Sequence, residues 1–405
     1  MSLPYFIAKR ISTNEEASFS TVINKVAVVS IAVALVALIS CFMILKGFED
    51  TIKQKIYSFS GHLVVSKYTL STSFEQSTIV VSDSVKAGIE ALPGVDYLQT
   101  YAYKAGLLKT DEEVHGIIFK GLDSRFDTSA FATHMIEGNF PIFPQNGYGQ
   151  EIALSKKVSN YLNLKVGEEV IVFFVQEPPR FRKLTISGIY ETGLEDFDEK
   201  VILGDINLVR RLNDWSSETI GGMEIFLDDP EKMDEAETMV FEATDSNLYV
   251  DKVSDKYLQI FDWLRLLNRN VVIFFSLILF VAAFNMVSIL LILIMERTQM
   301  VGVLKSLGAG NGLIRKIFFF NGLNLILKGV LWGNLIALSF CFIQYQFKII
   351  PLDPENYYMN HVPIDFNFMA VILINLFIVV ATAVALFIPL AVISRINPIK
   401  SVKFD

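Results

Sequence analysis

The sequence predicts an α-helical membrane protein with four transmembrane helices and a large extracytoplasmic mixed α/β domain inserted between helices 1 and 2. Three observations carry that fold class. First, 405 residues with 52% hydrophobic and 19% charged side chains, at a mean hydropathy of +0.44, hold more apolar surface than an ordinary soluble chain buries. Second, the excess is concentrated in long uncharged runs. Third, charge is segregated: residues 47–265 carry 36 acidic and 21 basic side chains, and the flanks carry 7 and 14. A wholly soluble enzyme is excluded, and no clustered Lys/Arg with interleaved aromatics points to nucleic acid.

In chain order, 1–25 is read as a cytoplasmic N-terminal segment and 26–46 as the first span, because a helix needs about 20 apolar residues to cross the hydrocarbon. Its late start and the Lys46-Gly-Phe-Glu-Asp50 that follows make it an uncleaved anchor rather than a signal peptide. The domain 47–265 comes next. Within it 62–65, 117–119, 170–175 and 183–189 read as strands rich in β-branched and aromatic residues. Residues 85–92 and 156–162 read as helices with stop signals, and a second subdomain is expected at about 137–213. The second span is 270–295, the third 317–347 and the fourth 366–394, with 348–365 a short outer loop and 395–405 a cytoplasmic C-terminus.

Orientation follows from the short loops. Lys9, Arg10 and Lys25, then Arg297, Lys305, Arg315 and Lys316, then Arg395, Lys400 and Lys403 oppose Lys348 alone in the outer loop. Both termini and the 296–316 loop are therefore expected in the cytoplasm. Phe48, Ile52 and Ile56, and likewise Tyr257, Phe261, Leu264 and Leu267, recur at helical spacing, so the first two spans should continue outward as helices.

The chain shows no constellation that builds a catalytic or metal site. Cys41 and Cys341 lie inside apolar runs, the four histidines are scattered, and the glycine cluster 308–312 lacks the lysine and hydroxyl of a phosphate loop. No directly bound cofactor is expected. In the 296–316 loop, Val301, Leu304 and Leu307 share one face, Glu296, Arg297 and Lys305 form a charged rim, and Gly308 offers a left-handed stop. Such a helix lies on lipid or docks in a partner's groove.

The segment Glu296-Arg-Thr-Gln-Met-Val-Gly302-Val-Leu-Lys305-Ser-Leu-Gly308-Ala resembles the signature of the FtsX-like/MacB-type permeases of ABC exporters, lipoprotein-releasing LolC/LolE type. Similar stretches are Ile7-Ala-Lys-Arg10, Lys46-Gly-Phe-Glu49, Leu164-Lys-Val-Gly-Glu-Glu-Val170, Asp353-Pro-Glu-Asn-Tyr-Tyr358 and Ile396-Asn-Pro-Ile-Lys400. The first span departs, with Ile31-Ala-Val-Ala-Leu-Val36 where the family often has Gly-x-Ala-Leu-Gly.

The resemblance implies a type VII ABC exporter-like permease of the bacterial inner membrane, multi-pass, working as two copies or with a paralogue. ATP and Mg would sit on a separate ABC ATPase subunit, present in two copies, and Glu296, Arg297, Gly302, Leu304, Lys305 and Gly308 would couple to it. The implied substrate is a lipoprotein drawn from the membrane lipid, and the implied recipient a periplasmic carrier. Phe42, Met43, Phe274, Phe275, Phe280 and Phe284 are candidates to line an acyl-chain cavity. Pro179, Arg180, Phe181 and Arg182 form a short proline-stiffened turn at the position of the family's carrier hook. Alternatives of related fold are a MacB-like exporter of peptides or hydrophobic compounds and an FtsX-like regulator of cell division. Lys328, inside the third run, is expected to be paired or snorkelled, with Asn321 and Asn324 on its face, and Gly322, Gly329 and Gly333 to mark a close helix contact.

Overall fold

The computed structural model describes residues 19–68, 77–110, 113–144, 147–244 and 247–393. Lys9, Arg10, the 7–10 and 396–400 stretches and the segment 394–405 lie outside the described residues. The chain divides into two compact units. One is drawn from Met1–Glu49, Leu264–Pro351 and His361–Asp405, and the other is Asp50–Trp263 with Leu352–Asn360. The middle of the expected outer loop thus belongs to the α/β unit.

Helix α1 (Phe19–Ser60) opens the described chain. The α/β unit then contributes β1 (Leu63–Lys67), β2 (Ile79–Val80), α2 (Asp83–Glu90), β3 (Val95–Lys109), β4 (Val114–Leu122), β5 (Met135–Gly138), β6 (Glu151–Ser155) and α3 (Lys156–Leu162). It continues with β7 (Glu169–Phe174), β8 (Arg180–Tyr190), β9 (Val201–Asp205), α4 (Ile206–Asn213), β10 (Thr219–Ile220), β11 (Gly222–Leu227), α5 (Met233–Ala243) and β12 (Leu248–Lys252). The helices that follow are α6 (Leu258–Glu296), α7 (Thr298–Ser306), α8 (Asn311–Phe347), α9 (Phe368–Ala385) and α10 (Phe387–Val392).

Among the described residues four helices are long and apolar enough to span a membrane: Thr21–Ser60, Leu258–Glu296, Asn311–Phe347 and Phe368–Val392. A helix satisfies every backbone group within itself, which is why these runs take that form in lipid. At 1.5 Å per residue, the 42 residues of α1 reach about twice the ~30 Å hydrocarbon thickness. The first two spans therefore continue as helices well past the expected 26–46 and 270–295. The fourth breaks at Leu386, between α9 and α10, because Pro389 has no N–H for the Ala385 carbonyl.

The membrane unit is held by small and polar residues where helices cross. A Cβ on Gly329 would stand 2.7 Å from Ile31 Cβ, and one on Gly333 3.0 Å from Leu35 Cβ. The third span thus supplies the glycines that the first lacks. Gly322 instead faces Leu386, where a Cβ would meet Cδ1 at 2.9 Å, so the three glycines serve two partners. Asn334 and Asn375 exchange amide hydrogen bonds of 2.7 and 2.9 Å between the third and fourth spans, and Asn285 donates to Ser30 Oγ at 2.9 Å. Two apolar layers fill the rest, one around Leu290, Ile314 and Phe318, the other around Leu38, Met43 and Ile378.

In the α/β unit ten strands form one mixed sheet, ordered β12-β1-β11-β3-β4-β9-β6-β8-β5, with β7 joining β3 and β8. The strands of 137–213 share that sheet with β3 and β4, so it runs through the expected subdomain boundary. Period-two alternation sends Leu98, Ala102, Ile117, Phe119, Met223 and Ile225 into one apolar core. Gln99, Tyr103, Lys120 and Glu224 go to the opposite face, where Gln99 pairs with Glu224 and Tyr103 with Lys120 across strands.

Gly329→Val should cost about 1–3 kcal/mol through overpacking against Ile31. Thermal unfolding in detergent checks this, with Gly310→Val, which meets open space, as the neutral control.

Candidate functional site

Three regions carry the residues singled out from sequence. The first is the turn between the second and third spans. Thr298 Oγ1 donates to Met295 O at 2.6 Å, which stops α6 and turns the chain into α7. Val301, at 0% exposure, and Gly302 are buried in the inner apolar layer, and Leu304 packs half-buried against it. Lys305 Nζ donates to Ile393 O at 3.0 Å, so this cation caps the end of the fourth span. Gly308 takes φ +88°, the left-handed stop that glycine permits.

The expected shared face of Val301, Leu304 and Leu307 is therefore split. Leu307 lies beyond the last turn of α7 and is 79% exposed. The outward surface includes Glu296, Gln299, Val303, Ser306 and Leu307. Of the six residues expected to couple, Glu296 and Gly308 are exposed and Arg297 is half-buried, whereas Gly302, Leu304 and Lys305 hold the turn against its own bundle.

The second region is the candidate acyl-chain lining. Phe275 borders a cavity of about 500 Å³ with Leu38, Leu279, Leu373 and Phe377. Met43 does not line it: at 0% exposure it is packed in the outer layer, its carbonyl accepting from Asp365 N at 3.1 Å. Phe42 packs half-buried on the same layer. Phe274, Phe280 and Phe284 form with Leu277 an exposed stripe on α6, Phe280 at 70%. They face away from the chain's own helices.

The third region lies in the α/β unit. Lys120, 1% exposed, donates to Glu224 Oε1 at 2.7 Å and to the Phe59 carbonyl in the last turn of α1. Gln99 Nε2 donates to Glu224 Oε2 at 2.6 Å. Burial lowers the Lys120 pKa, and the adjacent Glu224 carboxylate opposes this. Lys55, one turn earlier in α1, donates to Thr192 O at 2.6 Å and Tyr358 O at 2.7 Å. Asp198 holds the Thr192 loop through Thr192 Oγ1 at 2.8 Å and Gly193 N at 2.7 Å, its own carboxyl pushed up by burial. Tyr358 adopts φ +59° and meets Trp263 edge to face at 6.3 Å. The Asp353–Tyr358 stretch thus presents one carbonyl and one ring to α1 and α6 within this unit.

Pro179, Arg180, Phe181 and Arg182 lie at the β7–β8 turn and the start of β8. Arg180 folds back on the end of α4, donating to Leu212 O at 2.9 Å and Arg211 O at 3.2 Å and pairing with Asp214 at 3.0 Å. Open carbonyls at a helix C-terminus attract a guanidinium, so this cation anchors the turn. Arg182 donates to its neighbour's carbonyl, Phe181 O, at 2.8 Å. Pro179 and Phe181 remain exposed. Cross-strand registry places Phe181 beside Phe173 and Leu107 on one sheet face, where Leu107, Val114, Ile171, Val175 and Phe181 form an exposed apolar patch with Lys109 and Lys183 at its edge.

Lys55, Lys120 and Glu224 were not singled out from sequence. For Lys120 and Glu224 the signal was a lone charge inside an apolar strand, as in Ile117-Ile-Phe-Lys120-Gly-Leu122 and Met223-Glu224-Ile225. Among the described residues no cluster of metal-ligating side chains occurs.

Four spanning helices, an α/β unit between the first two and a short turn helix between the second and third define a transport permease of the exporter kind. Residues 26–241 match the MacB-like periplasmic core domain and 272–398 the FtsX-like permease C-terminal. The chain belongs to the FtsX-like/MacB-type ABC transporter permease family, whose members are not themselves catalytic. It is 24% identical to an uncharacterized membrane protein of Buchnera aphidicola subsp. Schizaphis graminum, with 99% of each chain covered. It is 23% identical to the lipoprotein-releasing system transmembrane protein LolC of Xylella fastidiosa, over 100% of this chain and 98% of that one. To the LolE protein of the same system in Haemophilus influenzae it is 21% identical, over 98% and 97%.

Removing Lys120 strands a buried carboxylate and a helix-end carbonyl. Lys120→Met should therefore cost about 3–5 kcal/mol, and Lys120→Met/Glu224→Met much less. Urea unfolding of the purified protein reads the difference.

Proposed function

We propose that this chain is the permease half of an ATP-driven exporter of the bacterial inner membrane that lifts lipoproteins from the outer leaflet for delivery to a periplasmic carrier. The full-length likeness to proteins named as lipoprotein-releasing transmembrane subunits supports that substrate class. In this reading the termini and α7 are cytoplasmic, as the lysine and arginine distribution favours. Two ATPase copies supply ATP and Mg, and a second permease copy or paralogue completes the pathway.

The observation that carries the reading is the outward face of α7, with Val303 and Leu307 exposed beside Glu296. An apolar anchor with a charged rim suits a groove on a partner. The turn behind it is fixed to the bundle by Val301, Leu304 and Lys305, so a push on Leu307 moves the second, third and fourth spans together. The exposed phenylalanine stripe of α6 then offers acyl chains an apolar surface. The patch around Phe181 offers the carrier an apolar surface with a basic edge.

Leu307→Asp should weaken ATPase binding about 30-fold, the ~2 kcal/mol of a hot-spot anchor, and leave the permease stably folded. Leu304→Asp should unfold the turn instead. Pull-down of the ATPase together with lipoprotein release from reconstituted vesicles checks both. Normal release with Leu307→Asp, or unchanged lipoprotein sorting with altered septation on depletion, would contradict the reading.

A further inference from the structure

We propose that the groove between α1 and α8 binds one anionic phospholipid with a hydroxyl-bearing headgroup, of the phosphatidylglycerol kind. The groove encloses about 570 Å³, within the about 300–1,000 Å³ of small-molecule sites. Its floor is drawn tight by the glycine contacts of Gly329 with Ile31 and Gly333 with Leu35. Its walls are apolar along most of their length, with Val33 and Val36 from one helix and Trp332 and Ile336 from the other. That is a channel for an acyl chain.

Polar groups are confined to one end. A Cβ on Gly329 would lie 2.7 Å from Ile31 Cβ, which puts the preceding Lys328 level with Ser30, about 7.5 Å along α1 from Lys25 at 1.5 Å per residue. Both lysines line the groove, both are exposed, and among the described residues neither meets a carboxylate. Lys328, read from sequence as a mid-span charge, can reach back along the groove toward the lysine that begins the first apolar run. Two ammonium groups on flexible stems that line the same groove match a single phosphodiester.

Asn24 adds an independent mark. It lines the same end, and its amide oxygen is buried without a hydrogen-bond donor. An unpaired buried acceptor is costly, and a headgroup hydroxyl would satisfy it where a choline would not. Trp332 lines the groove one turn beyond Lys328 and brings the amphipathic ring that membrane interfaces favour. In the orientation proposed above the lipid belongs to the cytoplasmic leaflet, and the site does not depend on the identity of the transported substrate.

Trp332 is one of three tryptophans, so Trp215→Phe/Trp263→Phe leaves it as the sole fluorophore. The full-length chain is reconstituted into vesicles containing either brominated phosphatidylglycerol or brominated phosphatidylcholine, and indole quenching is titrated. The glycerol lipid should be preferred by about five-fold per lysine. Lys25→Gln/Lys328→Gln should abolish the preference, and Lys25→Arg/Lys328→Arg should retain it. Equal quenching by both lipids would reduce the groove to ordinary annular lipid. Quenching by neither would mean that protein covers it, and a preference that survives the glutamine pair would remove the lysines from the site. Each of those three results overturns the proposal.

Discussion

One ammonium group, Lys120 Nζ, joins the end of α1 to the sheet of the α/β unit. It satisfies the Phe59 carbonyl and the Glu224 carboxylate at once and lies 4.5 Å from the centre of the Phe59 ring. Helix termini leave carbonyls without partners, and a buried one needs a donor. Glu224, 2% exposed, in turn needs the cation. Neither the helix end nor the sheet face can be buried without the other. The C-terminal end of α1 is thus held within the α/β unit, and Lys55, one turn earlier, ties it to the Thr192 loop and to Tyr358.

The membrane unit solves a different problem with different means. Lipid is as apolar as leucine, so packing and hydrogen bonds rather than burial hold helices together there. Gly329 and Gly333 let backbones approach, while the Asn334–Asn375 and Asn285–Ser30 bonds set register. Lys305 on Ile393 O adds a cation at a helix end. These ties bind the turn helix to the spans behind it and leave Val303 and Leu307 outside, the division of labour that a transmitted push requires.

Span number, the α/β insertion and the family were legible because each rests on a local or additive signal: run length, charge balance and one contiguous motif. The faces of short elements were not. Val301 and Leu307 share a helical stripe on paper, but Leu307 falls past the last turn of α7 and swings outward. Arg180 reads as a free cation at a hairpin tip until the fold brings the carbonyls of Leu212 and Arg211 beneath it. Met43 sits among aromatic candidates in sequence, yet the outer layer buries it. Lys120 and Glu224 are 104 residues apart, and only strand order makes them partners. In each case a long-range contact assigns the side chain, and no local period encodes that contact.

The central claim is that this chain converts ATP-driven motion at its inner turn into release of a lipid-anchored protein. The most direct measurement is release of a triacylated lipoprotein from proteoliposomes holding this permease, its paired permease copy and the ATPase, with a soluble carrier in excess. The account predicts release that requires ATP, rises with carrier and falls when Leu307 is replaced by aspartate. ATP hydrolysis at full rate in the complete assembly with no lipoprotein leaving the membrane would contradict it.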